Sequence, residues 1–108
     1  MKKYEVVKSK IDFNNIIKHS PFIKNQSFVI YIRKTETGKR HFGLAVSKKL
    51  GNAVVRNKIK RQLRAILDEL KENFPNNHDY IIMIKKSCVE LSFFQKKSDL
   101  ENLIKEIK

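Results

Sequence analysis

The sequence predicts a single small α+β domain in which helices pack on a mixed sheet. Three observations carry that expectation. The chain has 108 residues, enough for one ordinary domain and too few for two. Its hydrophobic fraction of 41% suffices for one thin core. Its apolar residues recur at helical spacing in some segments and at strand spacing in others. No internal repeat, low-complexity linker or domain boundary divides residues 1–108.

The first element is a short helix. Ile11, Phe13, Ile16 and Ile17 fall mostly on one stripe, Ser9 can cap it, and Pro21 closes the segment. Ser27 to Lys34 then alternates, with Phe28, Ile30 and Ile32 on one face and Val29, Tyr31 and Arg33 on the other. Thr35 to Lys39 contains Gly38 and reads as a hairpin turn. Arg40 to Lys48 alternates again, placing Phe42, Leu44 and Val46 opposite His41, Gly43, Ala45 and Ser47. Two strands joined by so short a loop are expected to be antiparallel neighbours, which argues against a wholly parallel sheet.

Lys49 to Val55 reads as a connection, and a helix is expected from about Arg56 to Phe74, where Pro75 stops it. Its residues Ile59, Leu63, Ile66, Leu67, Leu70 and Phe74 form a buried stripe. Asp79 to Lys86 holds Tyr80-Ile81-Ile82-Met83-Ile84, a continuous apolar run suited to an interior strand. Ser92 opens a last helix, in which Phe93, Leu100, Leu103, Ile104 and Ile107 keep helical spacing. The expected order is therefore helix, strand, strand, helix, strand, helix.

Charge narrows the function. The formal net charge is +13, a self-repulsion that a polyanionic partner would explain. Between Glu36 and Asp68 there is no acidic residue, while Lys39, Arg40, Lys48, Lys49, Arg56, Lys58, Lys60, Arg61 and Arg64 all fall there. On the middle helix Asn57, Lys60, Arg61 and Arg64 share a broad sector beside the apolar stripe, and Arg56 projects nearer that stripe. Lys58 points elsewhere, as a general surface charge. Asp68, Glu69 and Glu72 gather at the far end, so the cations stand at the N-terminal half and the anions near the C-terminus. That order opposes the helix macrodipole by roughly 0.3–1 kcal/mol per charge, which suits a helix shaped for a partner. Arg, Lys and Asn on one face are the residue types that contact phosphate and sugar. The loop Lys48-Lys49-Leu50-Gly51-Asn52 adds charge beside the helix start. Phe13 and Tyr31 read equally as platforms for unpaired bases or as core and half-exposed strand positions.

Other classes fit less well. No apolar run approaches the roughly 18–20 residues of a spanning helix, and Met1-Lys2-Lys3-Tyr4 is followed by no signal-peptide core. Cys88 is the single cysteine, so no intramolecular disulfide forms, and the expected compartment is the cytoplasm. A membrane-surface role lacks an exposed apolar face beside the cations. DNA reading would need an exposed recognition helix, whereas this helix carries a strong buried stripe. The carboxylates are scattered, and His19, His41 and His78 show neither ligand spacing nor an evident acid–base partner. No catalytic residue and no metal or cofactor bound by the protein itself is therefore expected.

The run from Leu44 to Arg64, LAVSKKLGNAVVRNKIKRQLR, resembles the signature of the bacterial ribonuclease P protein family. Its core is Arg56-Asn57, Lys60-Arg61 and Arg64, preceded by Lys-Lys-x-Gly-Asn-Ala-Val, and the likeness extends over nearly the whole chain. The resemblance implies a two-layer α/β sandwich with three helices, a left-handed strand–helix–strand crossover and one strand beyond the three read above. It implies a subunit that binds the catalytic RNase P RNA and assists endonucleolytic removal of the 5′ leader from precursor tRNA. The chemistry would lie in the RNA, which binds Mg²⁺ through its phosphates.

By position, the RNA-binding surface would comprise Lys48, Lys49, Asn52, Arg56, Asn57, Lys60, Arg61 and Arg64. A leader cleft would be lined by Phe13, Ile17 and Tyr31, with Lys60 and Arg64 at its basic edge. Ile17 stands where the family usually has a second aromatic, and the arm Lys2-Lys3-Tyr4-Glu5-Val6-Val7 is less basic than is typical. No basic tail follows Ile107-Lys108. The protein is expected to act as a monomer within the holoenzyme, with neither membrane nor DNA as partner. The alternative is a ribosomal or other structural RNA-binding protein with no part in tRNA processing.

Overall fold

The computed structural model describes residues 6, 7 and 9–107; the arm from Lys2 to Glu5 and the terminal Lys108 lie outside them. The elements are α1 (Lys10–His19), β1 (Phe22–Lys24), β2 (Phe28–Lys34), β3 (Arg40–Ala45), α2 (Ala53–Leu70), β4 (His78–Ile84) and α3 (Phe93–Ile104). Short 3₁₀ turns fall at Lys48–Leu50, Lys71–Asn73 and Lys86–Cys88. Three helices and a mixed sheet of four strands give the expected α+β class. The fourth strand is β1, a three-residue edge strand after Pro21 that is too short to show alternation. No helix among the described residues is long and apolar enough to cross a membrane.

The strand order β1-β2-β4-β3 corrects the expected hairpin: β2 and β3 are not neighbours, because β4 lies between them. β4 pairs antiparallel with β2 and parallel with β3. The cause is burial. Tyr80, Ile81, Ile82 and Ile84 are all buried, so β4 needs cover on both faces and both edges, and the interior of the sheet supplies it. The loop after β2 therefore spans two strand spacings, roughly 10 Å, instead of turning back on itself. Asn77, at the foot of β4, holds it there. Its backbone carbonyl accepts from Thr35 N at 2.7 Å and its amide donates to Lys39 O at 3.0 Å. Its Oδ1 accepts from Gly38 N. Asn77 itself adopts φ 64°, a left-handed conformation that asparagine tolerates.

One face of the sheet carries the main core. Phe28, Ile30, Phe42, Tyr80, Ile82 and Ile84 meet the α2 stripe Ile59, Leu63, Ile66, Leu67 and Leu70, together with Leu100, Leu103 and Ile104 of α3. Phe42, Phe74 and Tyr80 interlock, with ring centroids 4.8–5.6 Å apart. The Tyr80 hydroxyl donates to Pro75 O at 2.6 Å. α2 begins at Ala53, earlier than the sequence pattern suggested, because Asn52 caps it by accepting from Val55 N at 3.0 Å. It ends at Leu70, and the Lys71–Asn73 turn leads to Pro75.

The opposite face is only partly covered, by α1. Tyr31, Ile81 and Gly43 form one row across β2, β4 and β3. The Phe13 ring lies directly on Gly43: an ideal Cβ there would stand 2.9 Å from Phe13 Cε2 and 2.6 Å from Ile81 Cδ1. A side chain at this position would lift the helix from the sheet. Beyond β3, Val6 forms a parallel bridge with Phe42, and Val7 N donates to Phe42 O at 2.9 Å.

Two outcomes follow from this packing. Gly43→Ala is expected to cost about 1–3 kcal/mol by overpacking, read as a lower urea midpoint with an unchanged slope. Burial pushes the Tyr80 hydroxyl from 10.0 up to about 12. Between those values the unfolded chain has lost this proton and the folded chain keeps it, so this contribution to stability is present below pH 10 and lost as pH rises toward 12. Denaturation of the Tyr80→Phe variant over the same range should lack that component.

Candidate nucleic-acid interface

The loop Lys48–Leu50 and the first half of α2 build one continuous surface. Ser47 caps the 3₁₀ turn by accepting from Lys49 N at 3.2 Å, which leaves the Lys48 and Lys49 side chains exposed. Gly51, at φ 153°, makes the bend that passes the chain to the helix cap Asn52. Asn52 thus spends its Oδ1 on the helix, and its exposed amide nitrogen remains available. Asn57, Arg61 and Arg64 are exposed and Lys60 is half-buried. Arg56 is also half-buried, and its Nε is shielded without a hydrogen-bond partner. It is the fourth residue of α2, which begins at Ala53, and its backbone N–H donates to Asn52 O at 3.0 Å, so it stands within the formed helix.

Ion pairing sorts the cations. Arg33 is bound to Asp79 and approaches Asp12 at 3.6 Å. Arg40 donates to Lys71 O and Phe74 O, each at 3.0 Å, and pairs with Glu72 at 3.0 Å. It therefore stabilises the C-terminal end of α2, and is not part of the free surface that its position in an acid-poor stretch suggested. Lys97 pairs with Glu69 at 3.1 Å. By contrast, none of Lys48, Lys49, Arg56, Lys60, Arg61 and Arg64 forms an ion pair among the described residues.

Next to these free cations lie two adjoining cavities, of about 300 and 410 Å³. Both are lined by Phe13, Leu44 and Lys60; the first adds Val7, Gly43 and Arg64, the second Val46 and Met83. The structure thus brings three of the five cleft residues together: Phe13 as an apolar wall, Lys60 and Arg64 as a basic edge. Tyr31 and Ile17 do not line these cavities. Tyr31 sits two strands from Gly43 on the same sheet face, with its ring 5.5 Å from that of Phe22. Ile17 is half-buried on α1.

Sequence reasoning missed two features. Gly43, which lets Phe13 approach the sheet, was legible only as a glycine inside a strand, the usual mark of a close approach. His41 does have a partner: its Nδ1 is 2.8 Å from Asp79 Oδ1. That pair forms because β3 and β4 run in parallel register, His41 opposite Asp79, and residue spacing does not reveal a register. Asp79 is nearly buried and is shared between Arg33, on its Oδ2, and His41, on its Oδ1.

An apolar wall, a basic edge and a row of unpaired Arg and Lys suit a flexible anionic strand more than a small ligand. The comparisons with known proteins agree. The Ribonuclease P family profile matches residues 1–108. The chain is 43% identical to the ribonuclease P protein component of Mycoplasma capricolum, over the full length of both. It is 37% identical to that of Bacillus cereus, covering 97% of this chain and 92% of the relative. It superposes on the RNase P protein of Thermotoga maritima with a TM-score of 0.87 at 30% identity, over 96% of this chain and 98% of that one.

If about five of these cations meet phosphates, log K for RNA should fall against log salt with a slope near −3.5 to −4.5. Arg61→Ala and Arg64→Ala should each flatten the slope by roughly 0.7–0.9, measured by filter binding over a salt series. Glu106→Gln, an exposed change far along the chain, should leave it unaltered; unchanged slopes for both arginine variants would reject the surface.

Proposed function

The chain belongs to the Ribonuclease P family, and from that membership we propose how its surfaces divide the work of the subunit. As a protein component of RNase P it is a subunit of an endoribonuclease and associates with the RNase P RNA. In our reading Lys48, Lys49, Asn52, Arg56, Asn57 and Arg61 dock on that RNA. Arg64 and Lys60 face both the RNA and the neighbouring cleft. The observation that supports this is that none of these cations forms an ion pair among the described residues, in a protein that pairs Arg33, Arg40 and Lys97.

The cleft takes the single-stranded 5′ leader of precursor tRNA. Phe13, held by Gly43, offers a ring to an unpaired base, while Lys60 and Arg64 meet the leader phosphates. Tyr31 and Phe22 extend the apolar track along the sheet face. Ile17 contributes apolar contact and no stacking. The protein acts as a monomer within a cytoplasmic holoenzyme. Among the described residues no three His, Cys, Asp or Glu side chains group to hold a metal ion. In our reading Mg²⁺ is held by the RNA phosphates and the chemistry lies in the RNA. Its contribution is charge screening between two polyanions and the positioning of the leader, which lowers the Mg²⁺ demand of the RNA.

Reconstitution tests this. Protein mixed with a bacterial RNase P RNA should strongly stimulate cleavage of a 5′-extended precursor at its mature 5′ end at low Mg²⁺, and protein alone should not cut. Phe13→Ala should weaken precursor binding more than mature tRNA binding, by on the order of 1–3 kcal/mol if one base is stacked. Equal losses for the two ligands would reject the leader cleft, and no stimulation with several such RNAs would point to a structural RNA-binding role instead.

A further inference from the structure

A third cavity, of about 380 Å³, opens on the flank of α2 opposite Lys60 and Arg64. Its apolar walls are Val55 and Ile59 of α2, and Val89 and Leu91 of the segment entering α3. Into this space comes Lys96, the fourth residue of α3, which is only 2% exposed. Among the described residues its Nζ makes one hydrogen bond, to Gln62 Oε1 at 2.7 Å. An ammonium has three donors, and a buried one served by a single neutral acceptor is costly. Burial lowers the Lys96 pKa; Cys88 and, less strongly, Glu90 act against that shift, and Lys58 adds to it. A methionine would fill the same volume without the cost.

The remaining groups define what would complete the site. Lys58 and Glu90 both line the cavity, and both are close enough to act on Lys96 electrostatically. Glu90 repels a simple phosphate, and the apolar walls offer such an ion nothing. A flat apolar body with an acceptor edge and a donor edge fits better. Guanine has that pattern: O6 and N7 accept, as lysine requires, and N1–H and N2–H₂ donate, as a carboxylate requires. Adenine presents no such donor pair.

Given RNA as the partner of this protein, as read above, we propose that this cavity holds an unpaired guanosine of an RNA strand, with Lys96 on its O6/N7 edge, Glu90 on its N1/N2 edge and Lys58 toward its phosphate. The middle helix then meets RNA on both flanks, by charge along Lys60 and Arg64 and by base identity at Glu90 and Lys96.

Amide NMR titration of the full-length protein with GMP, AMP and inorganic phosphate tests the pocket. GMP should shift the amides of Val89 to Gln95 at a Kd roughly tenfold or more below that for AMP or phosphate. Glu90→Gln, an exposed and foldable change, should abolish the preference for GMP over AMP, and Lys96→Met should weaken GMP binding. Equal responses to phosphate and GMP, or a preference unchanged in Glu90→Gln, would overturn the assignment. Glu90→Gln should also bind RNase P RNA several-fold more weakly; unchanged RNA affinity would overturn the RNA as the source of the guanosine. None of these variants touches Phe13, Lys60 or Arg64, so failure here is distinguishable from failure of the leader-cleft reading.

Discussion

The burial of β4 on both faces is the constraint on which the rest depends. Its apolar run excludes it from an edge, so it separates β2 from β3 and forces the Thr35–Lys39 loop to cross its end over Asn77. The same insertion makes β3 and β4 parallel, and two parallel strands need a crossover. α2 is that crossover. The basic helix is therefore fastened to the sheet by its apolar stripe and to α3 along one flank, while the side that carries Lys60, Arg61 and Arg64 remains open to a partner. β3 becomes the edge strand beside which the cavities form.

That helix runs against its own dipole and needs help elsewhere. No acidic residue lies in its first turn, and its last turn has no basic one. Arg40 supplies the missing cation from β3 by donating to the carbonyls of Lys71 and Phe74 just past the helix. Asn52 supplies the N-terminal cap without adding negative charge. Both devices stabilise the helix ends and leave the cationic surface between them unneutralised. A carboxylate cap would have been better for local stability and worse for meeting phosphates.

Buried polar groups serve a different purpose from the free cations. Asp99 accepts from Ser27 Oγ and Gln95 Nε2, and its backbone carbonyl accepts from Asn25 Nδ2, so α3 is fastened to the turn before β2. Asp79 gathers Arg33 and His41 and stitches three strands together on the α1 side. Each of these carboxylates is satisfied inside the fold, as burial demands. Lys96 is the buried charge with the poorest set of partners, which is why it draws attention to its cavity.

Much was legible in the sequence because it depends on local physics. The stripe from Ile59 to Leu70 and the run from Tyr80 to Ile84 specified a helix and an interior strand, since both patterns record which side of an element meets water. The acid-free stretch before Asp68, with the Lys-Lys-x-Gly-Asn and Arg-Asn-x-x-Lys-Arg motifs, marked the basic surface and its family. Strand order was not legible. Short loops favour adjacent strands, and only the competition for the sheet interior put β4 between β2 and β3. Nor could spacing show that Phe13 would rest on Gly43, that Arg40 would serve a helix end, or that His41 would find Asp79. Those pairings join residues 30 to 38 positions apart, and their partners are chosen by register and packing in three dimensions.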